Sequence, residues 1–239
     1  YKTIGVHLTY KKQNLLYLHT DALKTFFEAL SVREKDLLED KQDIREKFFE
    51  DKLLNKHTKR DMNHRSRIDL PNYKKDYYAE HFGDHSVESV CHSYMKGLQW
   101  IINYYKIGIP DWKWQYPYFY APFLGDLSTH TSTFKNSRFR KGDPVELFMQ
   151  LLCVLPPQSK ELLPKALQSI VETNPYKQYY PTEVDVDVSG KRREWEGIVK
   201  LPPINYNHIH GEYTRRRGTI DIREKNRNKF GNTFVYTYD

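Results

Sequence analysis

Residues 86–123 read SVESVCHSYMKGLQWIINYYKIGIPDWKWQYPYFYAPF, and two unlike patterns meet inside that stretch. In its first half Val87, Val90, Cys91, Tyr94, Met95, Leu98, Ile101, Ile102 and Tyr105 recur at three- and four-residue spacing. This is one apolar face of an α-helix, so the pattern predicts a helix from about Ser86 to Lys106 buried along Val90, Leu98 and Ile101. Gly108 and Pro110 stop it. In the second half nearly every second residue from Asp111 to Phe123 is aromatic. Pro110, Pro117 and Pro122 fix φ and lack an N–H, which keeps that backbone extended or turned. An aromatic, proline-stiffened loop is either buried against a core or built to stack on flat ligands. Most of these rings read as packing, and a ligand needs only one or two of them.

Working outward, Leu23, Phe26, Phe27 and Leu30 give a helix capped by Thr20 or Asp21. Ser31–Glu34 has capping-box spacing, which predicts a fresh start or bend there. Leu37, Leu38, Ile44, Phe48, Phe49 and Leu53 continue a sparse stripe on a charged helix ending near Lys56. Asn55–Asn72 has no period and many charges, so it reads as an exposed connection. Asp143-Pro144 predicts an N-cap and first helical position for a helix through Cys153. Another helix is expected from Ser159 into LLPKALQSIVE, and a last one near Asp221–Asn228. The alternation EVDVDV, the Ser189-Gly190 turn and WEGIVKL predict short strands. The expected fold class is therefore mainly α: an irregular helical domain with a few short strands and long Pro/aromatic loops.

The chain has 239 residues, 19 tyrosines and a formal net charge of +7. That suits a folded domain with wide amphipathic surfaces, and the positive charge is compatible with a polyanionic partner. The most basic segments are Lys56–Arg67 and Arg215–Lys229, although such runs are more often solvated loops. Cys91 and Cys153 lie in apolar helical patterns and read as reduced core residues. No apolar run approaches the ~20 residues of a membrane span, so no membrane partner is expected. A first residue of Tyr rather than Met reads as a piece of something longer.

Little in the chain suggests chemistry of its own. Divalent-metal nucleases need converging carboxylates, and Glu183, Asp185 and Asp187 before a glycine turn read as solvated or capping acids. His208 and His210 place two imidazoles on one side of an expected strand, without a third ligand nearby. No catalytic residue and no metal ligand is expected. What remains is substrate handling. Trp112 and Trp114, two apart in extended chain, should point in opposite directions, one anchoring the loop and the other free. Trp100 and Trp195 read as structural.

Four blocks in order carry a resemblance: Tyr94–Leu127, YMKGLQWIINYYKIGIPDWKWQYPYFYAPFLGDL; Gly142–Pro164, GDPVELFMQLLCVLPPQSKELLP; Tyr179–Ile204, YYPTEVDVDVSGKRREWEGIVKLPPI; and Glu224–Asp239, EKNRNKFGNTFVYTYD. They resemble the second conserved region of the Xrn/Rat-type 5′→3′ exoribonucleases. The resemblance covers about Tyr77 to Asp239, and weakly what precedes. It implies a division into 1–54, a helical lead-in following a nuclease region; 55–76, a basic exposed linker; and 77–239, the second conserved region. It implies that the catalytic acids and their Mg2+ or Mn2+ belong to the preceding region, so that this chain holds no cofactor and is inactive alone.

The implied role is to pack around the nuclease centre and narrow an entry channel for single-stranded RNA bearing a 5′ monophosphate. The partners are that RNA and the N-terminal nuclease region, and the channel residues are Trp114, Trp112, Tyr116 and Tyr118, with Trp114 expected to face the bases. APFLGD, QLLCVLPPQSKELLP and KRREWEGIV are closer to the cytoplasmic branch, although a nuclear location is open. Phe119 replaces the family's usual His, Asn205, Tyr206 and His208 stand where two acids and an arginine are usual, and Val145 and Leu147 soften the start of the short helix. The alternatives are a stand-alone helical module that binds RNA or protein, or a structural domain whose aromatics only pack.

Overall fold

The computed structural model describes residues 4–44, 48–229 and 231–238. Ten α-helices and three two-stranded pairs lie among the described residues, so the mainly helical expectation holds. The chain divides into two compact units. One comprises Tyr1–Gly142 with Val186–Ile198, and the other Asp143–Asp185 with Val199–Asp239.

The first unit is organised along α5 (Val87–Ile107). Ser86 caps it by accepting from Ser89 N–H, and Gly108, at φ 82, ends it. Its buried line differs from the expected one. Val90, Cys91, Met95, Gln99 and Asn103 are buried, whereas Ile101 is 47 % exposed. The polar members of that line each fasten a neighbouring backbone. Asn103 Nδ2 donates to Leu16 C=O at 2.9 Å and its Oδ1 accepts from Leu16 N–H at 3.0 Å. Gln99 does the same to Ser137, at 2.9 and 2.7 Å. Buried amides with both ends satisfied are cheap to bury and specific in what they hold.

Leu16 belongs to an antiparallel hairpin, β1 (Thr9–Lys12) and β2 (Leu15–Leu18), paired from Thr9↔Leu18 to Lys12↔Leu15. The next helix, α1 (Thr20–Ser31), is capped by His19, whose Nδ1 accepts from Ala22 N–H, rather than by Thr20 or Asp21. A capping box at Ser31 does not form. Glu34, at the start of α2 (Glu34–Asp43), instead accepts from Leu124 and Gly125 N–H at 2.6 and 3.3 Å. It thereby caps α6 (Leu124–Thr131), whose own N-cap Phe123 has no side chain to do so. Leu18, Leu23, Phe27, Cys91, Met95, Leu127 and Phe134 form one core cluster around these elements.

The charged helix expected to reach Lys56 is two helices: α2 ends at Asp43 and α3 (Lys52–Lys56) is capped by Asp51. Residues 45–47, inside the expected helix, lie outside the described residues. The expected exposed linker 55–76 is also corrected. It contains an antiparallel hairpin, β3 (Thr58–Arg60) and β4 (Ser66–Ile68), leading into α4 (Leu70–Phe82). Ile68 and Ser66 are buried, and buried Glu39 accepts from Ile68 N–H at 2.9 Å. High charge resembled exposure because the partners are distant in sequence: Arg67 pairs with Glu39 and Asp61, Arg60 with Asp43, and Lys56 with Asp76. Leu54, Ile68, Tyr73, Tyr78, Phe82, Val90 and Phe123 form the second cluster.

In the second unit α7 (Leu147–Val154) begins later than Asp143-Pro144 suggested; Glu146 is its N-cap residue, and Asn228 Oδ1 accepts from Phe148 N–H at 2.9 Å. The helix expected from Ser159 is broken at Pro164 into a 3₁₀ turn (Pro157–Leu162), the short α8 (Lys165–Gln168) and a second 3₁₀ turn (Ser169–Glu172). His208 and His210 lie on α9 (Tyr206–Arg216) rather than on a strand. The last helix forms where expected, as α10 (Ile222–Arg227), and Asp221 caps it. The core draws on α7, α8 and α9, with Met149, Leu152, Leu167, Ile170, Ile209 and Tyr213 all buried. The strands expected around Asp187 and Val199 form as β5 (Asp185–Asp187) and β6 (Ile198–Lys200), which pair.

Candidate nucleic-acid interface

The aromatic loop leaves α5 through Gly108 and is pinned at once. Asp111 Oδ1 accepts from the backbone N–H of Lys113 and Trp114 at 2.9 and 3.0 Å, and its carbonyl accepts from Trp100 Nε1 at 3.1 Å. The burial of the two tryptophans is the reverse of that expected, with Trp114 the more packed of the pair. Trp114 folds back on α5 over Gly97, where an added Cβ would lie 3.3 Å from its Cη2. It meets the edge of Phe139 at 5.9 Å and lies 6.5 Å from Trp100, with Lys96 Nζ above it at 5.5 Å. Trp112 is the more exposed of the pair, at 37 %.

The tyrosines of the loop are half-buried and locked. Tyr116 O–H donates to Tyr120 C=O at 2.8 Å, and its ring meets Tyr94 and Tyr118 edge-on. Tyr118 packs edge-on against Phe82 and His85. Tyr120 stacks on His81 at 3.8 Å, and its hydroxyl donates to Asp187. Tyr78 O–H donates to Asp126 at 2.7 Å and accepts from Phe123 N–H at 3.1 Å. Burial raises the ionisation of Tyr73, Tyr78 and Tyr116 well above the usual phenol range and pushes Tyr77 up to about 12, so all four are neutral hydrogen-bonding groups.

The structure thus brings Tyr116 and Tyr118 together as loop packing, and Trp114 as an anchor. It leaves Trp112 exposed on the loop, and on the last turns of α5 an exposed apolar ledge of Ile101, Tyr104, Tyr105 (83 % exposed) and Ile107. Trp100, expected in the core, is half-buried and stacks on Tyr104 at 5.4 Å and 7°. Trp195, also expected to be structural, is 75 % exposed, with Arg193 over its ring at 6.0 Å. The periodic pattern hid the ledge by assigning Ile101 and Tyr105 to the buried face; the alternative signal was the Gln99/Asn103 spacing, which marks the buried line.

The two basic runs are largely consumed internally. Besides the pairs of the 55–76 hairpin, Arg215 and Arg216 pair with buried Glu212, Arg217 with Glu146 and Arg227 with Glu224. Burial alone would raise the Glu212 carboxyl, but hydrogen bonds from Arg216 and Tyr176 outweigh it and hold it below its usual value. Cys91 and Cys153 are both free thiols, and burial pushes them up to about 12 and about 11.

No three His, Cys, Asp or Glu side chains converge into a metal site among the described residues. Asp185 pairs with Lys200 at 3.7 Å, and Asp187 accepts from Ser189 N–H and from Tyr120. On α9 His208 Nδ1 lies 3.0 Å from Tyr179 O–H while His210 stacks on Tyr206. These residues do not fit a magnesium or manganese centre. Among the described residues no helix is long and apolar enough to cross a membrane.

The scaffold is mostly helical, with a clamped aromatic loop and large apolar side chains exposed on α5 and at Trp112. Residues 11–238 match the Xrn1 helical domain, and the chain belongs to that family. It is similar to human 5'-3' exoribonuclease 1, 30 % identical over 218 residues that make up 88 % of this chain and 12 % of the relative. It is also similar to 5'-3' exoribonuclease 1 of Saccharomyces cerevisiae, 28 % identical over 234 residues, 95 % of this chain and 14 % of the relative. The 5'-3' exoribonuclease 2 of Cryptococcus neoformans is 34 % identical over 173 residues, 70 % of this chain and 15 % of the relative. The chain therefore spans about a seventh of the length of these relatives.

Proposed function

We propose that this chain is the non-catalytic helical region of a 5′→3′ exoribonuclease. It packs beside a metal-dependent nuclease region of the same protein and shapes a narrow entry for single-stranded RNA with a 5′ monophosphate. The exposed Ile101–Tyr105 ledge of α5, together with the exposed Trp112 on the loop that follows, carries this reading. A domain that locks Tyr116, Tyr118, Tyr120 and Trp114 into its own packing would bury these rings too unless something else covered them. These exposed side chains supply the two parts such a role needs: an aliphatic–aromatic face on α5 to meet the nuclease region, and an indole on a stiff loop to meet a base.

The chain supplies position rather than chemistry. A base stacked on Trp112 gains roughly 1–3 kcal/mol whatever its identity, which suits sequence-independent degradation. A rigid wall admits one strand and rejects a duplex by its width, with no base-edge contact required. The divalent ion and its acids belong to the nuclease region.

The test uses full-length protein and end-labelled RNA. Single strands with a 5′ monophosphate should be degraded from the 5′ end in the presence of magnesium, and a blunt duplex of the same sequence should resist. Trp112→Ala should slow decay of the single strand without unfolding the protein. Degradation from the 3′ end, or equal rates on single strand and duplex, would refute the reading.

A further inference from the structure

Residues 135–141 read KNSRFRK, four cations and no acid. The run has neither helix nor strand, yet it is fastened along its length. Asn136 clasps the Leu18 backbone, accepting from its N–H at 2.9 Å and donating to its C=O at 3.0 Å. Buried Gln99 clasps Ser137, and Trp112 N–H donates to Lys141 C=O at 3.3 Å. This strap therefore runs along α5 and ends beside the exposed tryptophan.

Between strap and helix lies a cleft of about 300 Å³ lined by His92, Ser93, Lys96, Thr133, Lys135 and Ser137. Lys96 is held there by two rings, its Nζ 5.5 Å from Trp114 and 5.7 Å from Phe139. Glu88 stands at one end, where it accepts from Thr133 Oγ1 at 2.8 Å and lies 3.8 Å from His92. Lys135, Arg138, Arg140 and Lys141 are exposed, and none of them pairs with a carboxylate among the described residues. This sets the strap apart from the two longer basic runs.

We propose that the strap Lys135–Lys141 and the cleft beneath it bind the phosphodiester backbone of single-stranded RNA and lead it toward Trp112; the proposal rests on the RNA-handling role above. Like charges held side by side on a fastened backbone repel one another, and a partner carrying regularly spaced anions relieves that repulsion. Seven extended residues reach up to about 25 Å, which suits a linear polyanion better than a single ion. The hydroxyls of Ser93, Thr133 and Ser137 add donors for phosphate oxygens, and the neighbouring indole suits the bases that the same strand carries.

The experiment compares full-length protein with Lys135→Gln/Arg138→Gln/Arg140→Gln and with a charge-matched control, Lys11→Gln/Lys12→Gln/Lys52→Gln, whose sites are also exposed. Binding of fluorescent oligouridylate with a 5′ monophosphate is titrated in chelator over a range of salt. Losing three phosphate contacts should flatten the slope of log K against log salt by about 2, and weaken binding about 10–50-fold near physiological salt. The control should move the slope by less than about 0.5. Equal slopes for the two triples would overturn the strap, as would normal RNA binding by the strap variant. Loss of polyglutamate binding with RNA binding retained would also overturn it, in favour of an acidic protein partner. If the unsubstituted protein binds and degrades RNA while the strap variant matches it, the strap alone fails. If the unsubstituted protein binds no RNA, the exoribonuclease reading fails with it.

Discussion

Trp112 and Trp114 are two residues apart, and replacing each by alanine should give opposite outcomes. Trp114 is half-buried against Gly97, Phe139 and Trp100, with Lys96 above its face. Truncating a fully buried tryptophan costs about 3–5 kcal/mol. Half of that, with the lost cation–π contact of about 0.5–1 kcal/mol, gives about 2–3 kcal/mol for Trp114→Ala. In a chain of this size that lowers Tm by about 5–10 °C. Trp112 is 37 % exposed, and its backbone bond to Lys141 survives truncation, so Trp112→Ala should cost under about 1 kcal/mol of folding. On RNA the order reverses. Trp112→Ala removes a base stack of roughly 1–3 kcal/mol, about 5- to 150-fold in Kd. Trp114→Ala should affect RNA only as far as it loosens Lys96. The assay is thermal unfolding beside RNA binding on the same two variants of the full-length protein. A Trp114→Ala protein that melts normally but loses RNA would refute the assignment, and so would a Trp112→Ala protein that melts early and binds RNA normally.

Gln99→Leu should cost about 2–4 kcal/mol in urea unfolding, because it strands the buried backbone clasp on Ser137 that the amide satisfies at both ends. A cost under about 1 kcal/mol would show that water replaces the clasp. Glu34→Gln should lose about 0.5–2 kcal/mol by weakening the cap on Leu124 and Gly125, with the effect read in hydrogen exchange at the start of α6. Unchanged exchange there would count against the cap. Burial pushes both Cys91 and Tyr77 up to about 12, so the native chain keeps protons that the unfolded chain releases from about pH 8.5 and 10 respectively. Their contribution is intact below about pH 8 and is lost as pH rises toward 12, so Tm should fall through that window. A flat Tm to pH 11 would contradict the burial.

The helix α5 was legible because apolar side chains at three- and four-residue spacing have no better solution than a helix. Its orientation was not, because the same pattern counts Gln99 and Asn103 as solvent-facing and Ile101 as buried. The amides are inside because the strap and the β1–β2 hairpin present backbone groups there. The loop was legible as carrying one packed and one exposed tryptophan, yet which one packs depends on Gly97, fourteen residues or more away and unremarkable in sequence. The basic run 56–67 misled for a similar reason. Its acids lie on α2, α4 and in its own turn, and ion pairs between distant elements leave no local trace. Pro164 did carry a visible signal, since a proline inside a helical pattern ends it, and the break between the 3₁₀ turn and α8 follows from that rule.

The same logic separates the charges that build this protein from those that face outward. Arg215 and Arg216 pair with buried Glu212 and Arg67 with buried Glu39, so removing one of them strips part of a buried acid's compensation and acts on folding. Among the described residues Lys135, Arg138 and Arg140 pair with no carboxylate, so removing them should cost the fold little. Side-chain amides do for the strap what hydrogen-bond ladders do for a sheet. Gln99 satisfies the Ser137 backbone and Asn136 reaches from the strap to the Leu18 backbone, which fastens the segment while Lys135, Arg138, Arg140 and Lys141 stay exposed. A strand in a sheet interior would have lost both faces to its neighbours. A free loop would have had to lose its conformational entropy on binding. An extended, cationic segment fastened by amides avoids both costs, and it ends at the one tryptophan of the loop that its own domain leaves uncovered.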